Sequence, residues 1–295
     1  MSIIEGGNII EALRYAGFIL APDARAFLVD PGNDADEIET ALESCTADQG
    51  DFIVCLPGSH GADGGTIALN KQGITIIAAD FGHPDKFKGE SFTLRTASAL
   101  ATVPGVTVTQ PCRIIGMGIT GRDITKESLL IDCQEAGGFN GGFNYFKNCR
   151  FSAWYGAMDV FVRMIGGSVN VFEGCTFDGL FGGITTAGIQ LENDTGGFAT
   201  DFLRIVDCEF SGMGSSKPAI KCKTGSIPLD LLVHHNHLLP GFSGNQGVMI
   251  DFNSVAATGM ASENWVAPLA NKAAAFLNTG SLAAFGFANN HYEET

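Results

Sequence analysis

Three carboxylates have the types and spacing that glycoside cleavage would require. Asp207 and Glu209 flank Cys208, and Glu173 lies two residues before Cys175. Alternate residues of a strand point to the same side, so Asp207 and Glu209 would both face outward. Glycosidases use two such carboxyl groups, one of them an acid with a raised pKa. Carboxylates that only face solvent show the same pattern, and we favour that simpler interpretation.

A histidine cluster is the second group that could bind a ligand. It consists of His234, His235 and His237. Because neighbouring strand residues face opposite sides, at most two of these rings could bind one metal ion. The sequence also lacks a phosphate-binding glycine loop with its lysine. It therefore predicts no metal site and no cofactor.

The charge balance excludes two classes of partner. The chain of 295 residues carries 17 Lys and Arg against 32 Asp and Glu, a formal charge of −15. Such a surface repels the phosphates of nucleic acids and anionic membranes. No apolar run reaches the roughly 18 residues of a membrane-spanning helix. Glu5 and Glu11 interrupt the apolar N-terminus, which lacks the basic start of a signal peptide. We expect no nucleic-acid or membrane partner, and folding in a cytoplasm.

An internal repeat determines which elements would position these side chains. In each copy an apolar residue is followed three positions later by a small or amide residue. A second apolar residue follows two positions after that. The copies recur about every 30 residues, which is typical of a solenoid. The clearest copies are Phe146/Cys149/Phe151, Phe172/Cys175/Phe177, Ile205/Cys208/Phe210, Val233/Asn236/Leu238, Ala261/Asn264/Val266 and Phe287/Asn290/Tyr292.

Stacked copies would form two internal columns. With rungs about 4.8 Å apart, the middle residues, Cys149 to Asn290, would align in one column. The last residues, Phe151 to Tyr292, would form an apolar column in which each buried side chain contributes about 1.5–3 kcal/mol. The eight cysteines are expected to be small core residues, because stacked neighbours rarely meet disulfide geometry. The predicted fold is all-β, a right-handed parallel β-helix.

The start of the repeat region resembles that of pectin-lyase-like β-helix proteins. The segment DADEIETALESCT at 34–46 predicts an amphipathic helix with Ile38, Leu42 and Cys45 on one face. The strand-like segments GDFIVCLPG at 50–58 and ITIIAAD at 74–80 follow it. In that superfamily a short helix plugs the N-terminal end of the solenoid. The resemblance implies a β-helix domain at 34–295 with this capping helix. The glycine-punctuated, partly apolar segment before it, residues 1–33, is predicted to be an N-terminal arm.

The same superfamily includes polysaccharide lyases and hydrolases, and many tailed-bacteriophage proteins. Because we interpret the candidate carboxylates as solvent-facing side chains, we do not expect catalysis. We expect a non-enzymatic capsid decoration (cement) protein of a phage virion, assembled in the host cytoplasm. Its expected partners are the major capsid protein and further copies of itself in a homotrimer. The alternative is that the arm packs only on its own solenoid. The residues expected to make the capsid or subunit contacts are Ile3, Ile4, Ile9, Ile10, Leu13 and Phe18.

The alternative function is a phage tailspike or receptor-binding β-helix that binds or cleaves a host polysaccharide. In this hypothesis Trp154, Tyr155 and Trp265 would contact the host glycan, because aromatic rings present flat apolar faces with a polar edge. The two functions differ in one observable property. A groove shared by these rings and the carboxylates near Asp207 would favour the spike.

Overall fold

The chain winds through three parallel β-sheets in turn, one strand of each per rung, in the computed structural model. This is the predicted right-handed parallel β-helix. The structure describes residues 4–294 apart from 6, 16, 32–35, 63–65, 80–91, 97–103, 122–126, 133–141, 154–157, 180–183, 194–196, 198–199, 214–216, 240–246, 270–274 and 283.

The strands are grouped here by sheet and numbered in chain order. Sheet A contains β1 Ile4–Glu5, β2 Ala26–Val29, β3 Phe52–Cys55, β6 Ile74–Ala78, β9 Cys112–Ile115, β12 Tyr145–Lys147, β15 Val171–Glu173, β18 Arg204–Val206, β21 Leu231–His234, β24 Thr258–Ser262 and β27 Ala284–Ala288. Sheet B contains β4 Gly58–Ala62, β7 Phe92–Thr96, β10 Gly118–Gly121, β13 Arg150–Ala153, β16 Thr176–Asp178, β19 Glu209–Ser211, β22 His237–Leu238, β25 Trp265–Leu269 and β28 His291–Glu294. Sheet C contains β5 Ile67–Leu69, β8 Val106–Val108, β11 Leu129–Asp132, β14 Met158–Ile165, β17 Ile184–Glu192, β20 Pro218–Cys222, β23 Val248–Asp251 and β26 Phe276–Leu277. The helices are α1 Gly7–Tyr15 and α2 Asp36–Ser44, and a 3₁₀ turn spans Thr279–Ser281.

The strand register confirms the predicted apolar column. Its rings stack face to face, with centroids 4.9 Å apart for Phe151 and Phe177 and 4.5 Å apart for Phe177 and Phe210. All three are fully buried. Neighbouring strands of sheet B pair the successive members Phe151, Phe177, Phe210, Leu238, Val266 and Tyr292.

The middle residues of the repeat form a hydrogen-bonded ladder inside the corner between sheets A and B. The residue before each one has a left-handed backbone, with φ between 51° and 60°, which turns the chain from one sheet to the next. Asn236 Nδ2 donates to the carbonyl of Ile205 in the preceding rung at 2.8 Å, and Asn236 Oδ1 accepts from Cys208 N at 2.8 Å. The Cys208 thiol makes the same backward bond, to the carbonyl of Phe172 at 3.5 Å. Thiols and amides therefore satisfy equivalent carbonyls along one ladder.

The seven cysteines among the described residues are buried free thiols. Burial raises the pKa of Cys55 and of Cys112 to about 12. Because the thiolate is the reactive form of cysteine, these side chains act as core residues, as expected.

The predicted capping helix is present as α2. It buries Ile38 and Leu42 in the apolar cluster of the first rungs. Lys71 Nζ donates to three main-chain carbonyls within residues 42–45, at 2.7 to 2.9 Å. A cation at this position satisfies carbonyls that have no partner inside the helix. The cap therefore covers the N-terminal end of the core and is fastened to the solenoid.

The predicted N-terminal arm, residues 1–33, lies partly in sheet A, where β1 and β2 are the first two strands, and partly on the outer face of that sheet, where α1 packs. Strand β1 pairs antiparallel with β2, and Leu13 of α1 is buried in a second apolar cluster with Phe52, Val54 and Ile77. Phe18 meets Phe52 edge to face, with ring centroids 5.7 Å apart. Ile9 and Ile10 pack on this cluster too, the side chain of Ile4 is not described, and Ile3 lies outside the described residues. The arm thus packs on its own solenoid, and its contact with another subunit stays a prediction.

His60, in β4, gives the fold a titratable core group. The ring is 2% exposed, and its Nε2 lies 2.8 Å from the carbonyl of Leu56. Burial lowers the pKa of His60, since the desolvated ring resists protonation.

We expect the stability of the chain to fall as the pH drops below about 6.5. In that range the unfolded chain binds a proton at His60 that the folded chain does not, so acid favours unfolding. Each unit of pKa lowering corresponds to about 1.4 kcal/mol. Urea unfolding of wild type and His60→Gln at pH 7.5 and 5.5 measures the effect. A variant that loses as much stability as wild type over this interval would contradict it, and exposed His291→Gln serves as the control.

Candidate functional site

An open groove of about 840 Å³ lies outside the corner between sheets A and B, near the C-terminal end of the solenoid. Half-buried Trp265, in β25, forms its aromatic wall. The His237 ring meets the indole edge to face, with centroids 5.9 Å apart. The groove therefore combines an aromatic platform with hydrogen-bonding side chains. It is lined by His235, His237, Glu263, Trp265, Asn289, Asn290 and His291.

The groove belongs to a longer row of outward side chains on sheet B. Each member directly follows the middle residue of one repeat, and strand pairing aligns it with the next member. Since rungs are about 4.8 Å apart, an extended polymer along the solenoid axis would meet a new side chain at each rung. This row was not predicted from the sequence, although the repeat spacing alone determines its members. The row is Arg150, Thr176, Glu209, His237, Trp265 and His291.

Two of the three candidate carboxylates lie beside this groove. Asp207 Oδ1 is 2.5 Å from His235 Nδ1, and both side chains are more than half exposed. Glu209 is the strand neighbour of His237. Neither Asp207 nor Glu209 lines the groove of Trp265; each borders it through a neighbouring histidine, so the single groove that the glycan-binding alternative expects is present only in part. Trp154 and Tyr155, the other two predicted glycan contacts, lie outside the described residues.

Glu173 lies elsewhere, on the outer face of sheet A. It accepts hydrogen bonds from Lys147 Nζ at 2.7 Å and from Tyr145 Oη at 2.6 Å. These bonds, foremost the one from Lys147, hold the pKa of Glu173 below its ordinary value. A carboxylate held ionised in this way is unsuited to donate a proton to a leaving group. Glu173 therefore does not join Asp207 and Glu209 in one site.

A second charged cluster lies on sheet C and was not predicted. The Arg163 guanidinium contacts Asp159 at 2.9 Å, Glu127 at 3.4 Å and Glu192 at 3.5 Å. Glu192 also pairs with Lys223 Nζ at 2.6 Å, in the next rung. The carboxylates of Glu127 and Glu192 are buried, and their charges are matched by cations. We interpret this network as a set of structural ion pairs that connect neighbouring rungs. Its basic groups already have acidic partners within the chain.

The three clustered histidines divide between two surfaces. His234 Nδ1 lies 3.0 Å from Ser262 Oγ in sheet A, whereas His235 and His237 line the groove. Among the described residues, no three His, Cys, Asp or Glu side chains are grouped closely enough to hold a metal ion. No helix in the described part of the chain has the length and apolar character needed to span a bilayer.

Comparison with known proteins yields a fold and no family. No protein-family model matches the sequence, and no curated protein matches it. Among solved structures, the chain is similar to the PL6 family alginate lyase AlyGC, with a TM-score of 0.53 and 11% identity over 94% of this chain. The chain spans only 39% of the length of that lyase chain. A likeness at this identity concerns the fold alone.

The expected capsid decoration role is wrong. A solved structure that this chain resembles is an alginate lyase, and the phage link drawn from the superfamily has no support. The physical basis of that expectation is also weakened, because Leu13 and Phe18 of the arm pack within their own chain. The major capsid protein as a partner, the homotrimer and the virion location are untested. What the comparison does show is the fold, a right-handed parallel β-helix.

Proposed function

We propose that this chain binds a polysaccharide along the groove at Trp265. The observation that carries the proposal is the position of this indole in an open groove, beside hydrogen-bonding groups of successive rungs. A sugar ring has an apolar face of C–H groups and an edge of hydroxyl groups. Trp265 offers a surface for the face, and the histidine and asparagine side chains offer partners for the edge.

The shape of the site suits a linear polymer better than a compact ligand. The groove is open and continues into the outward row of sheet B. Each further rung would add one more outward side chain within reach of the polymer, so affinity would grow with chain length. The alginate lyase whose fold is shared is itself named for a polysaccharide, which agrees with this class of ligand. The groove is lined by the carboxylate of Glu263 and by three histidine rings, so both acidic and basic polymers are suitable probes.

Replacing Trp265 by alanine should weaken polysaccharide binding at least tenfold. Loss of a central aromatic contact commonly costs about 2 kcal/mol or more of binding free energy. The binding partner is first found by titrating wild type with alginate, polygalacturonate, dextran and chitosan oligosaccharides in a calorimeter. The affinity of Trp265→Ala for the bound polymer is then measured in the same way.

Tyr15→Ala is the matched control, because Tyr15 is 96% exposed and does not line the groove. It should bind as wild type does. Equal affinity of wild type and Trp265→Ala for every polymer bound would reject the groove as the site. Formation of new reducing ends in the same samples would show that the bound polymer is also cleaved.

A further inference from the structure

The groove at Trp265 carries carboxylates but offers no lysine or arginine. Glu263 lines it, and Glu209 borders it through His237. No lysine or arginine is among the described residues that line it. Ligands that carry carboxylates are normally held by the guanidinium or ammonium groups of these two residue types. An acidic polymer would therefore meet repulsion here without a lysine or arginine to offset it.

The nearest basic side chains on this surface lie outside the groove. Arg204 faces outward from the start of β18, one rung before the groove. Arg150, at the N-terminal end of the outward row, is paired with Asp178. After Lys223 the sequence has one more basic residue, Lys272, which follows the far end of β25 and lies outside the described residues. The same stretch contains the acidic residues Asp230, Asp251, Glu263, Glu293 and Glu294. This end of the chain is therefore strongly acidic.

The backbone at Glu263 indicates that its carboxylate serves a ligand. Glu263 precedes a ladder residue and has a left-handed backbone, with φ of 55°. In the other rungs from Asn148 onward this position holds asparagine, glycine, aspartate or histidine, which adopt the conformation more readily than glutamate does. The Glu263 side chain is 51% exposed, and its nearest basic partner in the described chain is His234 Nε2 at 3.9 Å. Neither burial nor a close bond compensates for the strain, which is commonly found at functional sites.

Trp265 places an aromatic face beside this carboxylate. It follows Glu263 by two residues, across the corner, and both side chains line the groove. The face of an indole carries negative charge density, and it attracts a cation within about 6 Å of its centre. The same face suits the C–H groups of a sugar ring. An ammonium substituent on that sugar would lie between the indole and a carboxylate that has no close partner in the described chain.

We infer that the polysaccharide bound at this groove is basic, a polymer of amino sugars whose ammonium groups lie over Trp265 and beside Glu263. The inference rests on the polysaccharide binding proposed above and names the class of polymer. Glu209 lies two rungs from Trp265 along the outward row, where it can meet a further ammonium group. Asp207 contributes less, because its carboxylate already contacts His235 at 2.5 Å.

The test compares oligosaccharides of equal length that differ only in the group on the sugar nitrogen. Trimethylated chitosan keeps its positive charge at pH 7.5, whereas the N-acetylated chain is neutral. The full chain is titrated in a calorimeter at 0.15 M salt, where charges more than about 8 Å apart are largely screened. Wild type should bind the charged oligosaccharide at least tenfold more tightly than the neutral one. Glu263→Gln, which keeps the shape of the side chain, should lower the affinity for the charged oligosaccharide at least threefold and leave the neutral one unaffected.

Glu43→Gln is the matched control, because it removes the same charge from an exposed position at the capped end. It should bind both oligosaccharides as wild type does. Equal binding of the charged oligosaccharide by wild type and Trp265→Ala would mean that the net charge of the chain alone attracts it, and would overturn the inference. Tighter, Trp265-dependent binding of the neutral chain or of polygalacturonate would overturn it too, while the proposed polysaccharide binding stands. Absence of binding to every polymer would reject both.

Discussion

Replacing Phe177 by alanine should lower the free energy of unfolding by about 3–5 kcal/mol. The ring is fully buried and stacks between Phe151 and Phe210, with centroids 4.9 and 4.5 Å away. The ring of Phe172, in sheet A, also packs against it, with the ring centroids 6.0 Å apart. Because strand pairing fixes the rungs on both sides, the walls of the cavity have little freedom to collapse, and the cost should lie toward the upper part of this range.

Phe287→Ala is the matched control for this effect. Phe287 occupies an inward position of the same repeat, but it lies in the last rung and is 43% exposed. Its removal should cost about 1 kcal/mol. Urea unfolding followed by far-ultraviolet circular dichroism measures both variants. A loss below about 2 kcal/mol for Phe177→Ala would mean that neighbouring rungs rearrange to fill the space.

The core of this fold was predictable from the sequence because the inward residues of each rung are the same residues that define the repeat. One inward residue per rung must be apolar, and the ladder position must offer a small donor, so Cys208 and Asn236 are interchangeable there. Both types bond backward to a carbonyl of the preceding rung. The capping helix was also predictable, since Ile38 and Leu42 mark its buried face. These features depend on local pattern, which a single sequence contains.

The candidate site was predicted only in part, for a different physical reason. Outward positions are not constrained by packing, so His237 and Trp265 looked unrelated until strand pairing placed them side by side. Counting one residue beyond each ladder position would have found the row. The cluster on sheet C was harder to find, because a register shift between β14 and β17 breaks the regular spacing around Asp159. Long-range contacts of this kind depend on loop lengths that the repeat does not determine.

Asp51→Asn should destabilise the chain by about 3 kcal/mol. Asp51 is fully buried where β2, the end of α2 and β3 meet. Its Oδ1 accepts from Arg25 N at 2.9 Å, while Oδ2 accepts from Arg25 Nη2 at 2.7 Å and from Thr46 N at 2.8 Å. Both oxygens face donors, so an asparagine amide would place its NH₂ against another N–H in either orientation.

The pH dependence of this variant separates the charge from the shape of the side chain. Burial alone would raise the pKa of Asp51, but the hydrogen bonds from Arg25 and Thr46 and the Arg25 charge together hold it below its ordinary value. The stabilisation is therefore complete above the ordinary aspartate pKa of about 4 and disappears as the pH falls through the lower folded value. Urea unfolding at pH 7 and pH 3 should show the difference between wild type and Asp51→Asn shrinking in acid. Asp23→Asn removes the same charge from an exposed position and should be close to neutral at both values. A difference that stays constant with pH would mean that Asp51 holds the cap through its shape rather than through its charge.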